Sequence, residues 1–419
     1  MLLSMARFVI SGQEPLSGII NVNGAKNAAL PLISAALLTA EEVVLERIPK
    51  LRDVSSMLEI LNGSGAEVEH EGETCRIRSR SIETESLPDS LVGKLRGSVL
   101  LMGALGGRCG VVHLPEPGGD MIGARPVDVH LDAFKQLGVK ATREDGLIRL
   151  DARPAHAGRV VLREFSVTAT ENVMLLAARL PGATTIEIAA TEPHVVALAQ
   201  MLTAMGAKVT GAGTHTIIIQ GKEKLSGVKF RNIDDMIEAG SFILMAAATK
   251  SNILVTPVPT DDLLLFFKKL EDFGVQFSME AGGVRVRPAN LKSGNVQTLP
   301  HPGMATDLQA PFAVVATQAQ GSSMIHDPMY EGRFKYATEL QKMGACITIC
   351  DPHRIIIEGP SQLKGAQLNS LDIRSGMTLL TAGLIAEGET VIEDVEVIDR
   401  GYERIDERLR MLGAKIERI

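Results

Sequence analysis

Apolar positions along this chain fall into two kinds of run, and the two kinds alternate. One kind is apolar on nearly every side: 28–38, 98–105, 172–180, 241–248, 311–319 and 377–385. Runs of that sort, rich in Ala and Leu, predict helices buried all round. The other kind is amphipathic, as in 127–137, 195–205 and 402–412. These end on a recurring phrase: a bulky residue, then Gly, then a small or apolar residue. The phrase centres on Gly65, Gly138, Gly206, Gly274, Gly344 and Gly413, at spacings of 73, 68, 68, 70 and 69 residues. A period that long and that constant means one supersecondary unit used six times. Gly there suits the position just past a helix terminus. Strand-like runs follow, such as Thr216–Gly221 then Leu225-Ser226-Gly227, and Arg354–Gly359 then Leu363-Lys364-Gly365.

A chain of 419 residues is too long for one ordinary core, so six units divide into two domains of three. Three all-apolar helices per domain predict three helices at each centre with sheets outside them. The sixth unit stops at Lys415-Ile416-Glu417-Arg418-Ile419 without its closing strand pair. The chain start supplies a match, at 7–12 followed by Leu16-Ser17-Gly18. The expected domains are therefore 24–234, and 1–23 together with 235–419, with crossings near Val22 and Asp234.

Composition narrows the class. Hydrophobic content of 45% with 22% charged residues is that of a soluble globular protein. Apolar stretches such as 28–40 are too short to span a bilayer, and the start lacks the marks of a signal peptide. A cytoplasmic protein with no membrane insertion is expected. The four cysteines form no CxxC pair, and the histidines never fall at a metal-ligand spacing, so no metal is expected. A net charge of −7 argues against a nucleic-acid partner. The commonest phosphate loop, GxxxxGK[ST], does not occur.

The helix starts carry the candidate chemistry. If the units are related by rotation, these starts gather at one end of each domain, and helix N-termini attract anions. First helices are predicted to follow Lys26-Asn27, Arg96, Thr168-Ala169-Thr170-Glu171, Glu238, Asp307 and Asp372-Ile373-Arg374. Carboxylates there are expected as caps, which covers Glu192, Glu238 and Asp261. Cations there are electrostatically unfavourable, yet Lys26, Arg96, Arg125, Arg333, Arg374 and Arg400 occupy repeat-equivalent places. Any one of them reads as solvated surface charge. Six together point to a cleft for a substrate with several negative charges, such as phosphate plus carboxylate. The segment 114–126 inserts Pro and Gly residues and one acid, Asp120, before an Arg-Pro helix start. It reads as a lid-like loop over 114–124, or as a plain turn with an incidental Asp.

Several motifs together resemble the UDP-N-acetylglucosamine 1-carboxyvinyltransferases over the whole chain. They are Asn23-Gly24-Ala25-Lys26-Asn27-Ala28-Ala29-Leu30-Pro31, Gly119-Asp120-Met121-Ile122-Gly123-Ala124-Arg125-Pro126-Val127-Asp128 and Ile398-Asp399-Arg400-Gly401-Tyr402-Glu403-Arg404-Ile405. His301-Pro302 with Thr306-Asp307-Leu308-Gln309-Ala310, and Glu331-Gly332-Arg333-Phe334, belong with them. The resemblance implies an inside-out α/β barrel fold, two domains each of three βαβαββ repeats, with a catalytic cleft between them. It implies transfer of enolpyruvyl from phosphoenolpyruvate to the 3′-hydroxyl of UDP-N-acetylglucosamine, releasing phosphate, by addition then elimination and without a cofactor. That is the first committed step of peptidoglycan synthesis.

By the same resemblance Asp307 is the base at the sugar hydroxyl, and Asp120 stands at the proton donor's place. Lys26, Asn27, Arg125, Arg374 and Arg400 hold phosphoenolpyruvate. Asn27, Arg96, Arg125, Pro126, Val127, Asp128, Val129, Glu164, Phe165, Ser166, Val167, Asp307 and Met329 line the nucleotide-sugar site. Asp53, Arg333 and Asp372 support them. The chain departs from the family pattern where Asp120 replaces the usual loop Cys, where Glu164 replaces Lys, and where Thr168 replaces a common Gly. Leu100 also stands where a Trp is found. Two alternatives are a non-catalytic UDP-sugar-binding paralogue, for which Asp120 is the hint, and 5-enolpyruvylshikimate-3-phosphate synthase. The latter's phosphate-binding Ser-Lys-Ser is replaced here by Ala25-Lys26-Asn27.

Overall fold

A computed structural model of the chain describes residues 6–84, 87–118 and 126–419. Asp120, Arg125 and the 119–124 part of the expected lid loop lie outside the described residues. The chain divides into two compact units, one over 24–118 and 126–233, the other over 6–23 and 234–419. Each has its own apolar core.

The all-apolar runs are buried helices. In the 24–233 unit they are Lys26–Ala35, extended by a 3-10 turn Ala36–Leu38; Leu101–Cys109, preceded by a 3-10 turn Arg96–Leu100; and Val167–Ala177. The Leu101–Cys109 helix packs against both of the others. In the other unit Met236–Ala248, Gln309–Gln318 and Ile373–Ile385 pack on one another pairwise. Ala, Gly and Leu on most sides let these helices lie inside. The six repeated glycines all take the left-handed conformation, at φ of 97°, 85°, 112°, 71°, 96° and 102°. A side chain is strained there, which is why the phrase keeps Gly.

Sheets of four strands surround the helices, with one of three among the described residues. In the 24–233 unit the last strand, Val228–Arg231, pairs in parallel with the first long one, Glu42–Glu46, so the ring of repeats closes on itself. In the other unit closure uses the chain start. Phe8–Ser11 lies antiparallel to both Glu389–Glu393 and Lys415–Arg418, as an inner strand of its sheet. Ser17–Asn21 pairs in parallel with Asn252–Thr256. Phe8 and Ile10 are fully buried.

Three expectations about helix starts are corrected. The third unit's first helix begins at Val167, not after Glu171, with Ser166 as its cap. Thr168 to Glu171 lie inside it, and Thr170 Oγ1 donates to Ser166 O at 2.8 Å and accepts from Ala190 N at 3.0 Å. Glu192, Glu238 and Asp261 are not the capping carboxylates. Asp235 accepts from Ile237 N and Glu238 N at 2.8 and 3.0 Å, and Asp372 from Arg374 N and Ser375 N at 2.9 and 3.0 Å. The short Asp side chain reaches those N–H groups from the cap position itself. Glu238 instead accepts from Asn23 N and from Arg408, each at 2.6 Å. Finally, the 402–412 run becomes the helix Ile405–Met411, so that Tyr402 sits in the preceding turn, fully buried.

Candidate active site

In the 234–419 unit two of the expected site residues, Arg333 and Arg374, meet on a third, Asp307. Asp307 lies in the 3-10 turn Thr306–Leu308 that opens the Gln309–Gln318 helix. Arg333 Nη2 donates to its Oδ1 at 2.7 Å, and Arg374 Nε donates to its Oδ2 at 2.9 Å. Arg333 comes from the turn before Lys335–Lys342 and Arg374 from the first turn of Ile373–Ile385; both are buried. Asp372, the cap of that first turn, also accepts from Ser375 Oγ. Burial works to lower the Arg333 pKa, but Asp307, Asp372 and Tyr330 around it raise it above the usual value. For Arg374 burial is likewise outweighed, by Tyr402 and Asp307, and the group stays charged.

The other arm of Arg374 is also held. Its Nη1 donates to the Tyr402 hydroxyl at 3.1 Å, and that hydroxyl shares a 2.9 Å bond with Ser241 Oγ. Gln309 braces Arg333 by donating to its carbonyl at 3.4 Å, and itself accepts from Tyr336 at 2.7 Å. Met329 is placed by Asp327, which accepts from its N–H at 3.0 Å and from Thr306 Oγ1. Arg400 ends the 3-10 turn Val395–Arg400 and is half-buried.

In the 24–233 unit Lys26 is the first residue of its helix and is buried, 3.3 Å from Asp53 Oδ2 at the start of Arg52–Gly63. Half-buried Asn27 follows it. Arg96 opens its 3-10 turn. Pro126 and Asp128 are exposed at the start of Asp128–Gln136, while Val127 and Val129 are buried. Glu164 and Phe165 are exposed ahead of Ser166 and Val167; the Phe165 ring lies 4.7 Å from that of His215. The structure thus joins Asp307 to Arg333 and Arg374, and Lys26 to Asp53, by direct bonds. Each unit thus holds buried cations at helix starts that face carboxylates. Among the described residues no cluster of three or more His, Cys, Asp or Glu is placed to hold a metal. No helix of these residues is long and apolar enough to cross a membrane.

The family model of EPSP synthase (3-phosphoshikimate 1-carboxyvinyltransferase) matches residues 10–409. The UDP-N-acetylglucosamine 1-carboxyvinyltransferase 1 of Caldanaerobacter subterraneus subsp. tengcongensis is 42% identical over 98% of this chain and 99% of its own. The corresponding protein of Halothermothrix orenii is 42% identical over 99% and 100%. The chain belongs to the UDP-N-acetylglucosamine 1-carboxyvinyltransferase family. Among solved structures, the enolpyruvyl transferase NikO from Streptomyces tendae matches with a TM-score of 0.90 at 26% identity, covering 99% of both chains. EPSP synthase from Acinetobacter baumannii matches at a TM-score of 0.75 and 19% identity, over 99% of this chain and 100% of its own, and shows the shared fold.

Several buried polar residues near the helix starts had no role assigned from the sequence. His130, Asn172, Glu171, Ser241 and Tyr402 are each 2% exposed or less. Burial and the nearby Arg96 push the His130 pKa down to about 3, so the ring is neutral. Burial and the neighbouring Glu192 hold Glu171 well above the usual carboxylate range. The signal was present in part: Glu171-Asn172 and Ser241 interrupt otherwise apolar helices, where a polar side chain must find a partner.

Proposed function

We propose that this enzyme transfers the enolpyruvyl group of phosphoenolpyruvate to the 3′-hydroxyl of UDP-N-acetylglucosamine and releases phosphate. The observation that carries the reading is the Asp307 carboxylate held between Arg333 and Arg374 in a family member. Asp307 accepts the proton of the sugar hydroxyl as its oxygen bonds to C2 of phosphoenolpyruvate. A proton adds to the C3 methylene, giving a phosphate-bearing adduct at C2. Loss of a C3 proton and of phosphate then restores the double bond. Lys26, Asn27, Arg125, Arg374 and Arg400 bind the phosphate and carboxylate, whose charge grows as phosphate departs.

Asn27, Arg96, 125–129, 164–167, Asp307 and Met329 bind the nucleotide sugar; Asp53, Arg333 and Asp372 hold these groups in place. Asp120, in place of the loop Cys of other members, serves as the acid at the methylene carbon. Its ordinary pKa is about 3.9, so this role needs a loop environment that favours the neutral form. Glu164 places a negative charge beside the nucleotide where many members place a positive one. Both substrates are made inside the cell, which puts the enzyme in the cytoplasm at the start of peptidoglycan synthesis. The test is phosphate release with both substrates. Release that requires both supports the reading. Nucleotide-sugar binding without release indicates a non-catalytic paralogue, and release with shikimate 3-phosphate as acceptor indicates the synthase.

A further inference from the structure

A buried chain of hydrogen bonds joins the three helix starts of the 24–233 unit to which the nucleotide-sugar contacts fall. His130, the third residue of Asp128–Gln136, is 1% exposed. Asn172 Nδ2, a donor only, lies 2.9 Å from its Nδ1, so Nδ1 accepts and the ring hydrogen is assigned to Nε2. That nitrogen faces Thr168 Oγ1 at 3.3 Å. Thr168 thus gives the ring a second partner, at a position where a Gly would leave Nε2 without one.

Asn172 does more than hold His130. Its Nδ2 also donates to Val99 O at 3.0 Å, and its Oδ1 accepts from Gly103 N at 2.8 Å. In an uninterrupted α-helix Gly103 N would donate to Val99 O directly. The Asn172 amide stands in for that bond, and there the 3-10 turn Arg96–Leu100 gives way to the α-helix Leu101–Cys109. Insertion of a side chain into the ladder is a recognised way of interrupting it. Only Gly fits at 103, since a Cβ there would lie 2.2 Å from Asn172 O. This junction joins the helix to the turn that begins with Arg96.

We propose that His130, Asn172 and Thr168 are positioning residues of the nucleotide-sugar site, holding Arg96, the 126–129 start and the 164–167 start in one register. They act through those segments. The inference rests on the reading of the segments as the UDP-N-acetylglucosamine site. A neutral imidazole suits the role, because an imidazolium would sit beside Arg96 and lose the bond from Asn172.

The test compares Asn172→Ala, His130→Phe, Thr168→Val and Thr168→Ser in the full chain. Binding of UDP-N-acetylglucosamine is measured by calorimetry, and KM for each substrate by phosphate release with the other saturating. Thr168→Val, isosteric but without the hydroxyl, should bind the nucleotide sugar about 5-fold more weakly, the worth of one hydrogen bond. Asn172→Ala lets the helix ladder close and turns Arg96 away, for a loss of about 10-fold or more. Thr168→Ser should bind as the native chain does, and KM for phosphoenolpyruvate should stay within about twofold throughout. If Asn172→Ala or His130→Phe fails to fold, the Thr168 pair decides. Native protein that binds no UDP-N-acetylglucosamine overturns the functional reading and this inference with it. Native binding with Thr168→Val unchanged, or with both KM values rising together, overturns this inference alone.

Discussion

Replacing Arg374 with Met removes a guanidinium while keeping most of the side chain's length and its apolar stem. The site loses the 2.9 Å bond to Asp307 Oδ2 and the 3.1 Å bond to Tyr402. Asp307 keeps Arg333 at 2.7 Å and is 21% exposed, and Tyr402 keeps Ser241, so neither is left without a partner. Breaking a fully buried ion pair costs about 3–5 kcal/mol; with one guanidinium retained and water in reach, folding should lose only about 1–2 kcal/mol. The transition state loses more, because Arg374 is proposed to meet the growing charge of phosphoenolpyruvate. A charge-assisted bond is worth about 1.5–3 kcal/mol, so kcat/KM for phosphoenolpyruvate should fall by roughly 10- to 10²-fold for each bond lost. Arg374→Lys keeps the charge without the planar fork and should stay within about tenfold of the Met variant. The assay is phosphate release at varied phosphoenolpyruvate with the nucleotide sugar saturating, with a thermal melt of each variant alongside. Near-native kcat/KM refutes the role, as does a variant unfolded at the assay temperature, since the effect would then be structural. Strictly additive losses in a cycle with Asp307→Asn would also show that the pair does not act together.

Removing residues 1–18 takes away an inner strand of one sheet and its buried Phe8 and Ile10, so soluble protein should become scarce; an unchanged melting temperature would contradict this. Glu171 is raised well above its unfolded value of 4.5 by burial and Glu192. Its contribution to stability is therefore greatest below about pH 4.5 and declines as pH rises towards the folded pKa. Glu171→Gln, neutral at every pH, should melt higher than the native chain at pH 8 by a wider margin than at pH 5, and a margin independent of pH rules the argument out. With Asp120 at the loop position that the resemblance assigns to a fosfomycin-reactive Cys, the native chain should keep its activity in fosfomycin, while Asp120→Cys gains time-dependent inactivation. Asp120→Asn should lose most turnover yet still bind UDP-N-acetylglucosamine, and full activity in that variant excludes the acid role.

Much of the architecture is local and therefore written in the sequence. The six Gly phrases require left-handed backbone, which only glycine adopts without strain, and each does so. The helices at each unit's centre are apolar on every side, a pattern with no other stable place in water. The chain start could be assigned to the second domain because the sixth repeat lacked its closing strand pair. The cations at helix starts were visible as violations of the helix dipole.

What the sequence alone did not determine is how those cations are neutralised and aimed, since that depends on groups far apart along the chain. Asp307 meets Arg374 across 67 positions, and Tyr402 meets Ser241 across 161. Asn172 enters the helix ladder at Val99 and Gly103 from about 70 positions away. Capping was misread for a similar reason. A carboxylate near a helix start caps only if its length and the backbone angle at the cap bring it to the N–H groups, which favoured Asp235 and Asp372 over Glu192 and Glu238. Local chemistry decided which elements form and where they stop. Only packing decided which buried polar side chains become partners, because in a low-dielectric interior each must find one within hydrogen-bond reach.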